Sequence, residues 1–351
     1  MRVQGAQDLR DWGQMAPATR THSFRAMASQ VTLHVVDPGP VVDRAFAEAE
    51  AVFREVERTC SRFDPDSDLV RVNARPDGWH EVPPRLADAL TEAVRAHEET
   101  AGLFDPRVLE TLLAWGSKDS LPDADSPRVR AVGLGRRCFG GESRSPLSGT
   151  WRPRIEREGD RYRVTLGGVP VDLGGIGKGL AVRWAAAALA AAGRGSLVDA
   201  GGDLAFSGAA PDGGAWRVGV EDPFGGEAPV LVLVLRDGAC ATSSIRRHRW
   251  TWADQQVHHL VDPRTNQPGG RGLAAVTVAD PDPARSEVWS KALFLTGAES
   301  IAARADDLGL AAAWVGLDGR EGVSAAMEPL TIWRRPAPRD RKGEAGREAE
   351  A

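Results

Sequence analysis

One stretch, residues 171–208 (VDLGGIGKGLAVRWAAAALAAAGRGSLVDAGGDLAFSG), limits the fold more than any other part of the chain. A β-like run over 162–173 meets the turn Gly174-Gly175-Ile176-Gly177, and an alanine-rich helix is expected from Lys178 to about Ala192. A second run and turn follow at 196–203. Glycines let backbone N–H groups come close to a ligand. The start of a helix offers unpaired donors and the positive end of its dipole to an anion such as phosphate, and Lys178 adds a mobile cation there. A Walker A loop is excluded, because Asp172 stands where its first glycine belongs and Gly179, not Ser or Thr, follows the lysine. A dinucleotide GxGxxG is excluded too, since Gly175-Ile176-Gly177 lacks the third glycine. Taken alone, the turn reads equally well as a tight strand-to-helix connection without a ligand.

The 351 residues, 42% of them hydrophobic, suffice for one large domain or two closely packed lobes. A net charge of -5 with scattered cations gives no nucleic-acid footprint. Cys60, Cys138 and Cys240 are too far apart to suggest a zinc site or a disulfide framework. The first 24 residues are polar, with no apolar signal core and no cysteine for a lipid. The apolar run 180–192 is too short to span a bilayer. These features lead to the expectation of a cytoplasmic protein without a membrane anchor. Residues 1–20 are expected as a flexible leader, 21–335 as a single domain and 336–351 as a disordered charged tail. The Pro-, Gly- and Ser-rich segment 119–146 is expected to be a mobile surface segment.

Strand patterns appear at 24–36 and 275–278, and a hairpin is expected over 151–171. The run 230–235 is fully apolar and is expected as a buried strand. A helix over 41–58 carries the stripe Val42, Ala45, Phe46, Ala49, Val52, Phe53 and Val56. Further helices are expected over 84–100 and 285–296.

The run Asp172-Leu173-Gly174-Gly175-Ile176-Gly177-Lys178-Gly179, followed by Ala200-Gly201-Gly202-Asp203, resembles the signature of the ApbE family, the FAD:protein FMN transferases. Its usual wording is DLGGIAKGYAVD and then NAGGD. Other runs are similar in the same order. Arg25-Ala26-Met27-Ala28-Ser29 stands at the family's Met-Gly-Thr turn, and Cys60-Ser61-Arg62-Phe63 … Ser67-Asp68-Leu69 … Asn73 at its Ser-x-Tyr/Phe … Ser-Asp-Leu-x-x-Asn loop. Gly102-Leu103-Phe104-Asp105-Pro106-Arg107-Val108, Ala241-Thr242-Ser243-Ser244 and His259-Leu260-Val261-Asp262-Pro263-Arg264-Thr265-Asn266 match three more. The likeness stays in register from about Phe24 to Trp333.

The resemblance implies an α+β fold of mixed or antiparallel sheets packed with helices, with an FAD cleft between lobes. It also implies transfer of FMN from FAD to a Ser or Thr hydroxyl of a target flavoprotein, with release of AMP. By the same resemblance Asp172 holds FAD, Lys178 contacts the nucleotide, and Gly174 and Gly175 lie beside the pyrophosphate. Met27, Phe63, Phe104 and Asp105 line the pocket, with Thr242, Ser243, Leu260 and Val261 also assigned to it. His259 is the candidate proton acceptor, because imidazole titrates near neutrality; a lone histidine would otherwise read as a strand cap. His258, its neighbour, is expected to point the other way. Asp262 orients His259, holds the following turn, or does both.

Family members bind Mg²⁺ through Ala-Asp-Ala-x-x-Thr on a helix and a carbonyl of the glycine-rich turn. Here the run is Ser286-Glu287-Val288-Trp289-Ser290-Lys291, so a carboxylate remains while a cation replaces the hydroxyl. A protonated lysine has no lone pair for a metal. In one reading Lys291 pairs with Glu287 at i,i+4 and its ammonium stands in for Mg²⁺. In the other the pair is an ordinary helical ion pair, and Glu287, the Gly175 carbonyl and water hold Mg²⁺. Leu180 for Tyr, Arg183 for Asp, and Ser244 and Asn266 for two glycines are further departures, with Arg183 expected on a solvent-facing side. Two alternative functions follow: a non-catalytic FAD-binding protein with a degenerate metal site, and an FAD pyrophosphatase that yields FMN and AMP.

Overall fold

The structure is a computed structural model and describes residues 2–3, 18–117, 147, 149–246 and 249–336. The segment 119–146 and the tail beyond 336 therefore lie outside the described residues. The framework is an eight-stranded sheet whose neighbouring strands all pair antiparallel. From edge to edge it runs Glu321–Val323, Ala311–Gly316, Leu273–Asp280, Gly238–Ser244, Asp203–Gly208, Gly195–Ala200, Ser29–Val36 and Thr19–Ala26. Side chains alternate faces along a strand, and here both faces are covered. Val31, Leu33, Val35, Val198 and Ala205 pack with the helices, while Val36, Leu197, Leu204 and Phe206 join a second core on the other side. Burial on both faces explains why 273–279 reads as an apolar run rather than an alternation.

The second core is closed by a four-stranded sheet of Arg2–Val3, Trp216–Val220, Leu231–Leu235 and Thr331–Arg334. The first of these strands lies inside the segment expected as a leader and pairs with Val218 and Gly219. The run 230–235 differs from a strand buried on both sides. Leu231, Leu233 and Leu235 are buried but Val232 and Val234 are half-exposed, because only one face of this sheet meets the core.

On the helical face lie Val42–Cys60, Gly177–Leu189 and Pro283–Phe294. The first buries the stripe read from its spacing, apart from the half-buried Val52. Close approach of the other two depends on Gly179: a Cβ there would sit 2.7 Å from both the Ala284 Cα and the Pro283 carbonyl oxygen. Arg183 does not face solvent as expected. It is half-buried, with one guanidinium nitrogen 2.7 Å from Glu92 and another 2.7 Å from Asp282, which caps the helix Pro283–Phe294. Its helix runs between two others, so this face is an interior seam. The hairpin expected over 151–171 is present as Arg154–Glu158 and Arg161–Thr165, extended by His80–Val82.

Candidate active site

The strand-to-helix turn is shaped by Asp172, whose carboxylate accepts the Gly174 N–H at 2.8 Å. The other carboxylate oxygen lies 3.4 Å from Nε of Arg62, a functional residue that no local pattern in the sequence ties to Asp172. Arg62 is also stacked on Phe63, 4.0 Å from the ring centre, and donates to the Ser117 carbonyl and hydroxyl. Burial lowers its pKa from the usual guanidinium value, and Asp172 partly offsets that. The Leu173 carbonyl accepts from Ile176 and Gly177, which starts the helix at Gly177.

Three walls close on this turn. Met27 brings its methyl within 3.5 Å of the position a Cβ on Gly177 would take. It sits with Ala28 in a two-residue hairpin turn, both at positive φ (51° and 57°), between the paired Ala26 and Ser29. The Phe104 ring would lie 2.9 Å from a Cβ on Gly175, so that position has room for hydrogen alone. On the remaining side the Lys291 stem would be 3.5 Å from the same Cβ.

Beneath the turn the charges are reciprocal. Lys178 forms an ion pair with the buried Asp203. Burial opposes the ammonium, yet Asp203, Glu287 and Asp199 together raise its pKa above the ordinary lysine value. The Asp199 carboxyl is pushed up by burial and by Asp203, against the pull of the Gly202 N–H and Lys178. Glu287 is fully buried, accepting the Gly179 N–H at 2.7 Å with Oε2 and Lys291 Nζ at 3.0 Å with Oε1. Among the described residues no three His, Cys, Asp or Glu side chains group as a metal site.

The turn 258–266 is docked on the far end of the same helix. His258 packs edge-on to Phe294 and accepts the Leu260 N–H with Nδ1 at 3.3 Å, which leaves its proton on Nε2. Burial drops its pKa to about 4, with a backbone hydrogen bond to Gly269 working against the fall. His259 is half-buried, and its carbonyl accepts the Val261 N–H at 3.1 Å. Leu260 is buried with Trp289, Leu293 and Phe294, and Val261 with Leu112, Trp115 and Val257. Asp262 accepts from the Arg264 N–H, Nε and Nη2 at 2.9, 2.9 and 2.8 Å, so its carboxylate holds the turn. Arg264 also reaches the Leu295 carbonyl, and Asn266 takes a φ of 52° as its residue type allows.

Other pocket candidates diverge. Asp105 turns from Phe104 into a buried pair with Arg107 at 2.6 Å, beside His97. It lines a separate cavity of about 520 Å³ with Arg107 and Arg264. Thr242 pairs with Thr277, whereas the adjacent Ser243 bonds Ser290 of the helix at 2.7 Å, so they occupy opposite faces of one strand.

The ApbE family model matches residues 27–314. An FAD:protein FMN transferase of Klebsiella pneumoniae is 27% identical, over 82% of this chain and 82% of that protein. One from Rhodobacter capsulatus is 32% identical, over 81% of this chain and 52% of that protein. Among solved structures, apo flavinyl transferase ApbE of Pseudomonas stutzeri superposes with a TM-score of 0.72 at 25% identity, covering 90% of this chain and 97% of its own. The ApbE protein of Thermotoga maritima gives 0.71 at 23%, covering 89% and 99%.

Proposed function

This chain belongs to the ApbE family, and on that premise we propose that it transfers FMN from FAD to a Ser or Thr hydroxyl of a target flavoprotein, releasing AMP. One observation carries the reading. Met27, Phe104, Lys178, Glu287 and Lys291, from separate parts of the chain, all meet at the glycine-rich turn that opens a helix. Such a helix start suits a pyrophosphate, and Met27 and Phe104 supply apolar walls. Asp172 and Lys178 hold the nucleotide end, with Arg62 fixing Asp172.

In the reaction the acceptor oxygen bonds to the FMN-side phosphorus, the bond from that phosphorus to the bridging oxygen breaks, and AMP leaves. His259 takes the hydroxyl proton. The choice of His259 over its neighbour is supported by the contacts of His258, which is committed to Leu260 and Phe294. The donor set does not fit Mg²⁺ at the family position. Both Glu287 oxygens already accept hydrogen bonds, and an ammonium lies 3.0 Å from one of them. Two unit charges about 4 Å apart repel by about 4 kcal/mol at an effective dielectric of 20, and a divalent ion doubles that. No step here passes through a metal. Among the described residues no helix is long and apolar enough to cross a membrane.

The test is incubation with FAD and a flavoprotein carrying an acceptor Ser or Thr, following AMP and protein-bound flavin. His259→Ala should lower transfer by roughly 10²–10⁴-fold, the range for a general base, while FAD stays bound. Full activity in that variant removes His259 from the mechanism. AMP with free FMN and no labelled target favours the pyrophosphatase, and intact bound FAD favours a binding protein.

A further inference from the structure

We infer that the Lys291 ammonium is the fixed cation facing the FAD pyrophosphate, so that nucleotide binding and transfer proceed without a divalent metal. The inference rests on the flavin-transfer reading above. Its geometric basis is the course of the side chain: the Lys291 stem borders Gly175, as Phe104 does, and its ammonium is anchored 3.0 Å from Glu287. The side chain is only 17% exposed, so this is no solvated surface lysine. Glu287, in turn, is pinned from the other side by the Gly179 N–H, at the first turn of the helix that the glycines open. The ammonium therefore has a fixed position relative to the backbone donors of that turn. Lys178, paired with Asp203, adds a second cation at the same helix start.

The valence of the ammonium fits the task. It carries three N–H donors, one engaged by Glu287, which leaves two for phosphate oxygens. During transfer the acceptor oxygen bonds to the FMN phosphorus and its proton passes to His259. The bond to the bridging oxygen breaks, and AMP departs with that oxygen and the electron pair. Negative charge gathers on the departing oxygen, where a preorganised cation in a sheltered site is effective. A metal would have to displace this ammonium to reach Glu287 Oε1.

The experiment measures FAD affinity, by flavin fluorescence, and transfer to a target flavoprotein, each in EDTA and in Mg²⁺. For the full chain both quantities should agree within about twofold between the two conditions, a change small beside the tenfold that 1.4 kcal/mol represents. Lys291→Thr should bind FAD at least tenfold more weakly in EDTA and recover in Mg²⁺, and Lys291→Arg should keep metal-independent binding. Thermal melts establish that each variant is folded. FAD affinity lost in EDTA by the full chain, or unchanged in Lys291→Thr, overturns the inference even if transfer occurs. Metal-independent binding without transfer or AMP release supports Lys291 and instead refutes the transferase reading.

Discussion

The helix Pro283–Phe294 holds the site by two opposite means, a charged half and an apolar half that interleave along it. The charged half is Glu287 with Lys291 one turn on: Glu287 joins the Gly179 N–H to Lys291, and its field reaches Lys178. The apolar half is Trp289, Leu293 and Phe294, which receive Leu260 and the edge of His258. The charged half sets the position of Lys291 against the start of the helix Gly177–Leu189, and the apolar half sets the position of the turn that carries His259. Reciprocal charge fails abruptly, because losing one partner leaves the others buried and unpaired. Apolar packing is spread over many contacts and fails by degrees.

The sharpest way to expose this difference is Glu287→Ala. It strands the Lys291 ammonium and the Gly179 N–H together and removes a carboxylate whose field favours the Lys178 ammonium. Breaking a buried pair from one side costs about 3–5 kcal/mol, to be read from denaturant unfolding. Glu287→Gln, which keeps an acceptor for Gly179, should recover part of this. If Glu287→Ala costs less than about 1 kcal/mol, the charged half is not the rigid one.

The apolar half should show itself as an acid limb. His258 has a folded pKa of about 4, against an unfolded value near 6.5. The unfolded chain therefore binds the extra proton first. Stability is unaffected above about pH 6.5, falls as the pH drops toward 4, and levels off below it. The full loss is on the order of 3 kcal/mol, taking 1.36 kcal/mol per unit. Unfolding in urea at pH 7 and pH 4.5 measures it. His258→Asn retains an acceptor for the Leu260 N–H but has no titration there, so its stability should change less between the two pH values. An equal fall in both proteins would assign the limb elsewhere.

The same contrast governs what could be read from sequence. Glu287 and Lys291 are four residues apart on one helix, so local geometry alone pairs them. The glycine-rich turn was legible for the same reason. Lys178–Asp203, Arg62–Asp172 and Arg183 with Glu92 and Asp282 were not, since those partners meet only after sheet order and helix packing are decided. The Asp203 signal was present in the Ala200-Gly201-Gly202-Asp203 run, but nothing local tied it to Lys178. The strand Leu231–Leu235 shows the same limit from the apolar side. Its composition says buried, while its exposure depends on which sheet lies outermost.

The smallest expected effect separates the two possible duties of Asp262. Its carboxylate is engaged by Arg264 through the backbone N–H and two guanidinium nitrogens, and Arg264 in turn reaches Leu295 at the end of the helix. Arg264 is 55% exposed along its side chain, so water screens the pair. Exposed pairs contribute about 0.2–1 kcal/mol. Asp262→Asn keeps an oxygen for the Arg264 N–H and removes the charge, so stability should fall by no more than about 1 kcal/mol. If the carboxylate only holds the turn, transfer by this variant keeps its kcat and its pH profile. Were Asp262 instead to orient or stabilise protonated His259, the loss of charge would lower kcat and move the limb assigned to His259 to lower pH. A changed profile at unchanged stability would thus place a charge-dependent contact in the half of the site that packing otherwise maintains.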